Sequence, residues 1–202
     1  MAAFRYDFAD TPFGDALVVF SVEGIVSFEL AEGLHRGSEW ALEAVARRLH
    51  ETPAPDPGAA AALDDLLASY FDGAPVRFDE QVPLDWRMAQ GFSRAALQAV
   101  CEIPWAETAS YGEVAIRAGS PGAARAVGTA CRNTPFSILV PVHRVVRADG
   151  SPGQYGAHPE RKRYLLDLEA DAAGRTMRPG GIARHDAAVP RDAPSRVVRP
   201  DV

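Results

Sequence analysis

Short apolar runs separated by polar turns dominate the beginning of the chain. Runs of this length predict strands, and the Glu23-Gly24 step between two of them predicts a hairpin. The predicted strands are Phe4–Phe8, Ala16–Val22 and Ile25–Leu30.

A helical period then replaces the strand pattern. Apolar residues on one face predict a helix over Trp40–His50, with Ser38 as its N-cap, and a second helix over Ala59–Phe71. Val76–Leu84 predicts a returning strand. Residues 1–88 are therefore predicted to form a small α+β domain.

The second half begins with a different pattern. Phe92–Ile103 predicts an amphipathic helix, and a short helix follows from Thr108 to Ala118. After the turn at Gly119–Gly122, a helix rich in small residues is predicted over Ala123–Cys131. This order of helix, turn and small-residue helix is typical of a helix-turn-helix.

The remaining elements predict the rest of a DNA-binding domain over residues 91–170. Val145–Tyr155, with Asp149-Gly150 at its turn, predicts a hairpin that could serve as a wing. Pro159–Leu168 predicts a last helix. Residues 171–202 have little periodicity and are predicted to be a flexible tail.

The charge is uneven along the chain, although the formal net charge is −6 at pH 7. Residues 1–90 hold 6 Arg and 16 acidic residues, whereas residues 91–170 hold 9 basic and 7 acidic residues. Since binding to nucleic acid needs local positive potential, the second half is the part expected to meet DNA.

The sequence excludes several other classes of protein. It has no apolar run of the roughly 18 residues that a membrane span needs and no secretory signal at its start, so we expect a soluble cytoplasmic protein that does not meet a membrane. Its two cysteines, Cys101 and Cys131, form neither a disulfide framework nor a metal-type spacing. We expect no metal and no cofactor.

The segment Pro141-Val-His-Arg-Val resembles the Pro-Cys-His-Arg-Val active-site signature of the O6-alkylguanine-DNA alkyltransferases. The resemblance is strong over 92–169 and weaker over 1–85, where Thr11-Pro-Phe-Gly and the hairpin look like the family's N-terminal domain. It implies an N-terminal ribonuclease H-like α/β domain and a C-terminal helix-turn-helix/winged-helix domain. Further motifs match in family order: Ser110-Tyr-Gly-Glu-Val-Ala, Gly122-Ala-Ala-Arg-Ala-Val-Gly, Ile138-Leu-Val-Pro, Gly153-Gln-Tyr-Gly and Lys162-Arg-Tyr-Leu-Leu-Asp-Leu-Glu.

The resemblance implies how DNA would be bound. The family's recognition helix enters the minor groove, and Arg125 matches the Arg that fills the gap left by a flipped-out base. Tyr111 matches the Tyr that crowds the 3′ phosphate and drives the rotation. Small residues at Ala123, Ala124 and Gly128 would let the helix lie close to the backbone of the DNA.

The resemblance also assigns the catalytic positions, and here the chain departs from the family. The acceptor cysteine is replaced by Val142, which has neither a lone pair nor a proton. His143 matches the residue that accepts the thiol proton through water, and Glu169 matches the carboxylate that orients it.

The implied lesion pocket is formed by residues around that position. Thr134 stands where the family usually has an Asn whose side chain holds two segments together by hydrogen bonds. Either these segments are held more loosely here, or Asn133 takes over that role. Cys131 has two interpretations, a small apolar filler, which we favour, or a relocated acceptor. Cys101 is expected in the core. The pocket residues are Cys131, Thr134, Pro141, Val142, Val145 and Tyr155.

Three functions are consistent with this sequence. The first is a monomeric DNA-repair protein that binds O6-alkylguanine in double-stranded DNA by base flipping, transfers nothing, and passes the lesion to excision-repair proteins. The second is a methylated-DNA–protein-cysteine S-methyltransferase, either with an engineered Val142 or with another acceptor such as Cys131. The third is a winged-helix regulator without lesion preference. Whether the chain is an enzyme therefore stays open, and a hydrolytic use of His143 and Glu169 ranks last.

Overall fold

A computed structural model of the chain describes residues 3–30, 36–153, 155–156 and 158–174. Most of the predicted tail, residues 175–202, lies outside the described residues. Within the described part, no helix is both long and apolar enough to cross a membrane.

The three strands predicted near the start of the chain are confirmed with small shifts. β1 (Arg5–Ala9), β2 (Ala16–Phe20) and β3 (Ile25–Leu30) pair antiparallel in sequence. A short strand that the sequence pattern did not predict, β4 (Ala54–Pro55), adds parallel to β1 and gives the sheet order β3-β2-β1-β4.

Alternation along the strands gives this sheet two apolar faces. Val18 and Phe28 lie on the face that packs with α2 (Ala61–Phe71), while Leu17 and Val19 lie on the face that packs with α1 (Arg36–Leu49). Both helices agree with the sequence-based prediction, with shifted ends. The predicted N-cap of the first was wrong, however, because Ser38 lies inside α1.

The predicted returning strand at Val76–Leu84 is wrong. The segment contains a single helical turn, α3 (Phe78–Gln81), with acidic residues in its first turn, where the helix dipole favours them. Beyond it, Leu84 makes one isolated parallel bridge to Ile25. Apolar and polar residues alternate in this segment because a loop and one helical turn bury some of its side chains and expose others.

The predicted helix-turn-helix region consists of α4 (Gly91–Cys101), α5 (Tyr111–Arg117) and α6 (Ala124–Arg132). α5 begins with a capping box in which Ser110 and Glu113 satisfy each other's backbone N–H groups. The last helix, α7 (Pro159–Ala172), runs beyond its predicted end at Leu168 and beyond the predicted domain boundary at residue 170.

The predicted hairpin over Val145–Tyr155 is also wrong as a strand pairing. β6 (Val145–Val146) pairs parallel with β5 (Ala109–Ser110), a partner distant in sequence. The turn at Asp149-Gly150 exists, since the Arg147 N–H donates to the Ser151 carbonyl at 2.9 Å. No strand after that turn pairs with β6 in the described residues.

The predicted mixed α+β fold is thus confirmed, and the larger of two apolar clusters joins its two halves. Phe28 of β3 and Phe136 share a bridge, and both side chains are fully buried in the cluster that includes Leu67 of α2 and Leu97 of α4. The first half therefore forms a wall directly behind the segment that carries Val142.

Candidate functional site

The segment that carries the site is attached to the edge of the N-terminal sheet. The Phe28 N–H donates to the Pro135 carbonyl at 2.7 Å, and the Ser137 N–H donates back to the Phe28 carbonyl at 3.1 Å. The Thr134 hydroxyl accepts the Phe136 N–H at 3.2 Å. β3 and a local side-chain bond therefore fix where this segment leaves the sheet.

Two tight turns follow and deliver Val142. The Leu139 N–H donates to the Ser137 carbonyl at 2.7 Å, around Ile138 at a φ of +66°. A positive φ is strained for a β-branched residue, and strain of this kind is concentrated at functional segments. The Val142 N–H then donates to the Val140 carbonyl at 2.7 Å. Val142 itself opens a 3₁₀ turn, Val142–Arg144, with only 4% of the residue exposed.

His143 and Glu169 form a completely buried pair. His143 Nε2 lies 2.7 Å from Glu169 Oε1, and both residues have 0% exposure. Arg144 closes the pair by donating from Nε to Oε2 at 2.9 Å and from a terminal nitrogen to Oε1 at 3.0 Å. The backbone N–H of Ala106 also donates to Oε2, at 3.1 Å. A bidentate Arg–carboxylate contact of this kind is both strong and directional.

The electrostatics of the cluster follow from these bonds. Burial alone would raise the pKa of Glu169, but the hydrogen bond from His143 and the bonds and charge of Arg144 outweigh it and lower that pKa well below its usual range. Burial lowers the pKa of His143, against the opposing effect of Glu169. The ionised carboxylate has no proton to share, so the proton between the two groups belongs to His143 Nε2.

Two buried polar atoms of the site have no hydrogen-bond partner among the described residues: His143 Nδ1 and the Tyr155 hydroxyl oxygen. The Tyr155 oxygen lies near the backbone of Ile138 without forming a bond of good geometry, and burial raises the pKa of that hydroxyl. Since buried polar groups are ordinarily satisfied, these atoms are candidates for meeting a ligand or solvent.

Tyr111 lies beside two glycines, Gly128 and Gly153. A Cβ on Gly128 would lie 3.8 Å from its ring, and a Cβ on Gly153 would lie 3.4 Å from its hydroxyl. Lys162 lies 6.0 Å from the ring centre and donates a hydrogen bond to the Val145 carbonyl. The two glycines therefore leave room for this half-buried Tyr at the start of α5.

Cys131, Tyr111 and Tyr155 are partly buried and pack against the same apolar cluster. Burial raises the pKa of Cys131 to about 12. Cys101 is buried in the core, as predicted, and burial raises its pKa to about 12 as well. In the described residues no group of His, Cys, Asp and Glu side chains could hold a metal ion.

The DNA-contact residues predicted on the recognition helix lie together at the start of α6. Arg125 is exposed and forms no ion pair within the described part of the chain, while Ala123 and Ala124 are half-buried beside it. Gly128 follows one turn later, against Tyr111.

The structure brings the predicted site residues into two groups. His143, Glu169 and the main chain of Val142 form one, and Tyr111, Gly128, Cys131 and Tyr155 form the other. Asn133 is exposed and makes no side-chain hydrogen bond among the described residues, so it does not take the place of an Asn at Thr134.

Sequence reasoning gave no role to three further residues of the site, Tyr70, Arg144 and Lys162. Arg144 and Lys162 stand inside the motifs, and Arg144, directly before Val145-Val146, carried a signal of a buried partner because it is a basic side chain beside an apolar pair. Lys162 lies between Arg161 and Arg163, so nothing local marked it as buried. Tyr70 had no such signal, because its spacing in α2 fits an ordinary apolar stripe.

Comparison with known proteins agrees with this arrangement. Residues 91–171 match the sequence profile of the 6-O-methylguanine DNA methyltransferase DNA-binding domain. A methylated-DNA–protein-cysteine methyltransferase of Mycobacterium tuberculosis (strain ATCC 25618 / H37Rv) is 47% identical over 126 residues, which cover 62% of this chain and 73% of the relative. One from Methanothermobacter thermautotrophicus is 32% identical over 158 residues, 78% of this chain and 81% of the relative.

Solved structures give the same result. The chain is similar to the crystal structure of Mycobacterium tuberculosis O6-methylguanine methyltransferase, with a TM-score of 0.69 and 37% identity over 84% of this chain and 94% of that one. The structure of Mycobacterium tuberculosis OGT in complex with DNA gives a TM-score of 0.66 and 36% identity, over 84% and 93% of the two chains.

Proposed function

The chain belongs to the O6-methylguanine-DNA methyltransferase family, whose members are DNA-repair alkyltransferases with a DNA-binding domain, and on this premise we propose that it binds O6-alkylguanine in duplex DNA without taking up the alkyl group. The observation that carries the proposal is Val142, buried beside His143 where the family signature has its acceptor cysteine. A saturated hydrocarbon side chain has no electron pair with which to attack carbon.

Docking would use α6 in the minor groove. Ala123, Ala124 and Gly128 carry small or absent side chains, so the helix can approach the sugar–phosphate walls closely. Arg125 is the long cationic side chain that such a helix would insert between the bases. Its exposure and its lack of an ion pair in the described residues support this role.

Extrusion of the base would depend on Tyr111 as well as Arg125. Removing a base from the stack costs a few kcal/mol, and an alkylated guanine pairs poorly, so the cost is lower at a lesion. Tyr111 lies at the start of α5, half-buried beside Gly128 of α6, where its hydroxyl can meet the phosphate next to the extruded base.

The extruded base would then lie against Pro141, Val142 and Val145, with Tyr155, Cys131 and Thr134 at the sides. The unpartnered Tyr155 hydroxyl is available for a hydrogen bond to the base, and Val142 adds apolar contact to the alkyl group. No bond is broken.

Cys131 is a poor substitute acceptor. The thiolate is the reactive form of cysteine, and burial raises the pKa of Cys131 to about 12. Attack also requires alignment behind the bond from O6 to the alkyl carbon, and displacement by an ångström already lowers the rate strongly. We therefore assign Cys131 to the pocket wall. Hand-over to excision-repair proteins, a cytoplasmic location and a monomeric state are parts of the same proposal.

The test compares two matched duplexes, one with O6-methylguanine and one with guanine at the same position. We expect the chain to bind the lesion roughly tenfold more tightly, in fluorescence anisotropy, and to keep its intact mass after incubation. Equal affinities would overturn lesion recognition and favour a winged-helix regulator. A gain of one methyl group, located on Cys131 by peptide mass spectrometry, would identify a transferase with a relocated acceptor.

A gain-of-function variant addresses the missing nucleophile directly. In Val142→Cys, sulfur would bond to the alkyl carbon as the O6–carbon bond breaks, guanine would keep the electron pair, and His143 would take the thiol proton. We expect this variant to become methylated once, with Val142→Ala as the control that stays unmodified. Absence of transfer would indicate that Thr134 or another supporting residue makes the pocket incompetent.

A further inference from the structure

Tyr70 connects the N-terminal half of the protein to the His143–Glu169 pair. Its hydroxyl donates to Glu169 Oε1 at 2.9 Å and lies 3.3 Å from His143 Nε2. Tyr70 stands 99 residues before Glu169 in the chain, on α2. It is 1% exposed, so solvent cannot replace its hydroxyl.

The position of the Tyr70 ring does not depend on that hydrogen bond. The ring packs against Phe71, Phe78 and Trp105, with centroid distances of 5.2, 5.5 and 5.4 Å. The Arg144 guanidinium in turn lies over the Trp105 ring, with its central carbon 5.7 Å from the ring centroid. A rigid aromatic cluster therefore presents the hydroxyl to Glu169, with little rotamer entropy left to lose.

The hydroxyl acts on the charge of the carboxylate. Glu169 accepts five hydrogen bonds, and Tyr70 shares Oε1 with His143 Nε2 and Arg144. Each donor to a carboxylate lowers its affinity for a proton. Without Tyr70, Oε1 would keep only two of its three donors, and it would attract the imidazole proton more strongly and favour imidazolium.

We infer that Tyr70 is a positioning residue of this site: its hydroxyl holds Glu169 so that His143 stays neutral, with its proton on Nε2 and its lone pair on Nδ1. The N-terminal half thereby becomes part of the proton-accepting machinery as well as a wall behind it. This inference rests on the proposed function only where it concerns proton transfer.

The other groups that face His143 do not replace Tyr70. The charges near the ring are those of Glu169, Arg144 and Lys162, and the last two both oppose protonation of His143. Arg144 is already bidentate to Glu169 and donates to the Ile103 carbonyl at 2.7 Å, so its geometry is fixed. Lys162 donates to the Val145 carbonyl. Among the described side chains, Tyr70 is the only neutral donor to Oε1 besides His143 itself.

The first experiment determines which ring nitrogen of His143 carries the proton, in the wild-type protein. With 15N-labelled histidine, NMR is expected to show His143 as the Nε2–H tautomer in the wild type. In Tyr70→Phe, the titration midpoint of His143 is expected to rise. Tyr164→Phe is the matched control, since Tyr164 lies on the same helix as Glu169 and its hydroxyl bonds to none of the described residues. An unchanged midpoint in Tyr70→Phe, or an equal shift in Tyr164→Phe, overturns the inference.

Wild-type protein alone gives a second readout should Tyr70→Phe not fold. A low-field His143 Hε2 signal with a nuclear Overhauser contact to the Tyr70 ring or hydroxyl is expected. A His143 that carries its proton on Nδ1 contradicts the inference whatever the variants do.

The third readout uses the Val142→Cys background. If His143 accepts the thiol proton, the methyl-transfer rate rises with pH through its titration, and Tyr70→Phe should move this rise to higher pH and slow transfer at pH 6 roughly tenfold. If Tyr70→Phe leaves the pH dependence of the transfer rate unchanged, Tyr70 has no role in proton transfer. If Val142→Cys transfers nothing, the pocket assignment fails, whereas the NMR result still decides the role of Tyr70.

Discussion

His143 Nε2 and Glu169 Oε1 lie 2.7 Å apart, and both residues are buried. The neighbouring position 142 offers no proton for this pair to receive. The pair is instead fixed by Arg144 and Tyr70, which both donate to Glu169, and it lies directly beside the 3₁₀ turn that begins at Val142.

Acid should destabilise the protein through this pair. The pKa of His143 is lowered from 6.5 by burial, so below pH 6.5 the unfolded chain takes up a proton that the folded chain refuses. Stability from this residue is fully present above pH 6.5 and is lost as pH falls, at up to about 1.4 kcal/mol per pH unit. The lowered pKa of Glu169 adds a loss below pH 4.5.

Urea unfolding between pH 8 and pH 4 measures this effect, with His143→Asn as the comparison, because Asn can still donate to Glu169 but does not titrate. The slope between pH 6.5 and pH 4.5 should be smaller in the variant. Equal slopes in the two proteins would contradict the assignment of a neutral buried His143.

Removing the exposed cation of α6 should weaken binding to lesion DNA. Arg125→Ala is expected to cost about 1–3 kcal/mol of binding free energy, since a side chain that fills the gap in the stack cannot be replaced by Ala. Arg47→Ala on α1 removes the same charge far from α6 and serves as the control. Anisotropy titrations at one salt concentration measure the affinity of both variants for lesion DNA. If both variants lose the same affinity, Arg125 contributes only general electrostatic attraction.

A polar atom in place of one Val142 methyl group should harm both stability and recognition. Val142→Thr preserves shape but buries a hydroxyl, which costs roughly 1–3 kcal/mol of unfolding free energy when it has no partner. Affinity for O6-methylguanine DNA should fall more than affinity for unmodified DNA. If the two affinities change together, Val142 does not contact the alkyl group.

Gly24 should tolerate no side chain. It has a φ of +141°, and a Cβ there would lie 2.2 Å from the Pro83 carbonyl oxygen, closer than any real contact. Gly24→Ala should therefore lower the thermal midpoint by several degrees, with a loss of roughly 2 kcal/mol or more. Gly14→Ala is the control. Gly14 has a φ of +99°, and an added Cβ there would have no atom within 4 Å, so this variant introduces backbone strain without a steric clash. The difference between the two melting curves measures the contact with Pro83, and a zero difference would mean that the hairpin simply moves away.

Local pattern sufficed for most of the helices and for the three antiparallel strands. Periods of two and of 3.6 residues are set by the backbone of each segment, and Ser110-Tyr-Gly-Glu determines its own capping box through neighbouring atoms. The chemistry absent from Val142 is likewise a property of one residue. The sequence by itself therefore determined the fold class and the family, and it places a valine at the cysteine position of the matching signature.

Only the tertiary structure decided which strands and side chains the less regular segments pair with. Val145–Val146 joins Ala109–Ser110 in place of the strand predicted after its turn, and Val76–Leu84 contains a helical turn in place of a strand. Tyr70 reaches Glu169 across 99 residues. Segments far apart in the chain compete for the same hydrogen-bond partners and buried volume. The outcome depends on the free energy of the whole core, so neither these pairings nor the place of Tyr70 beside His143 could be obtained from local spacing.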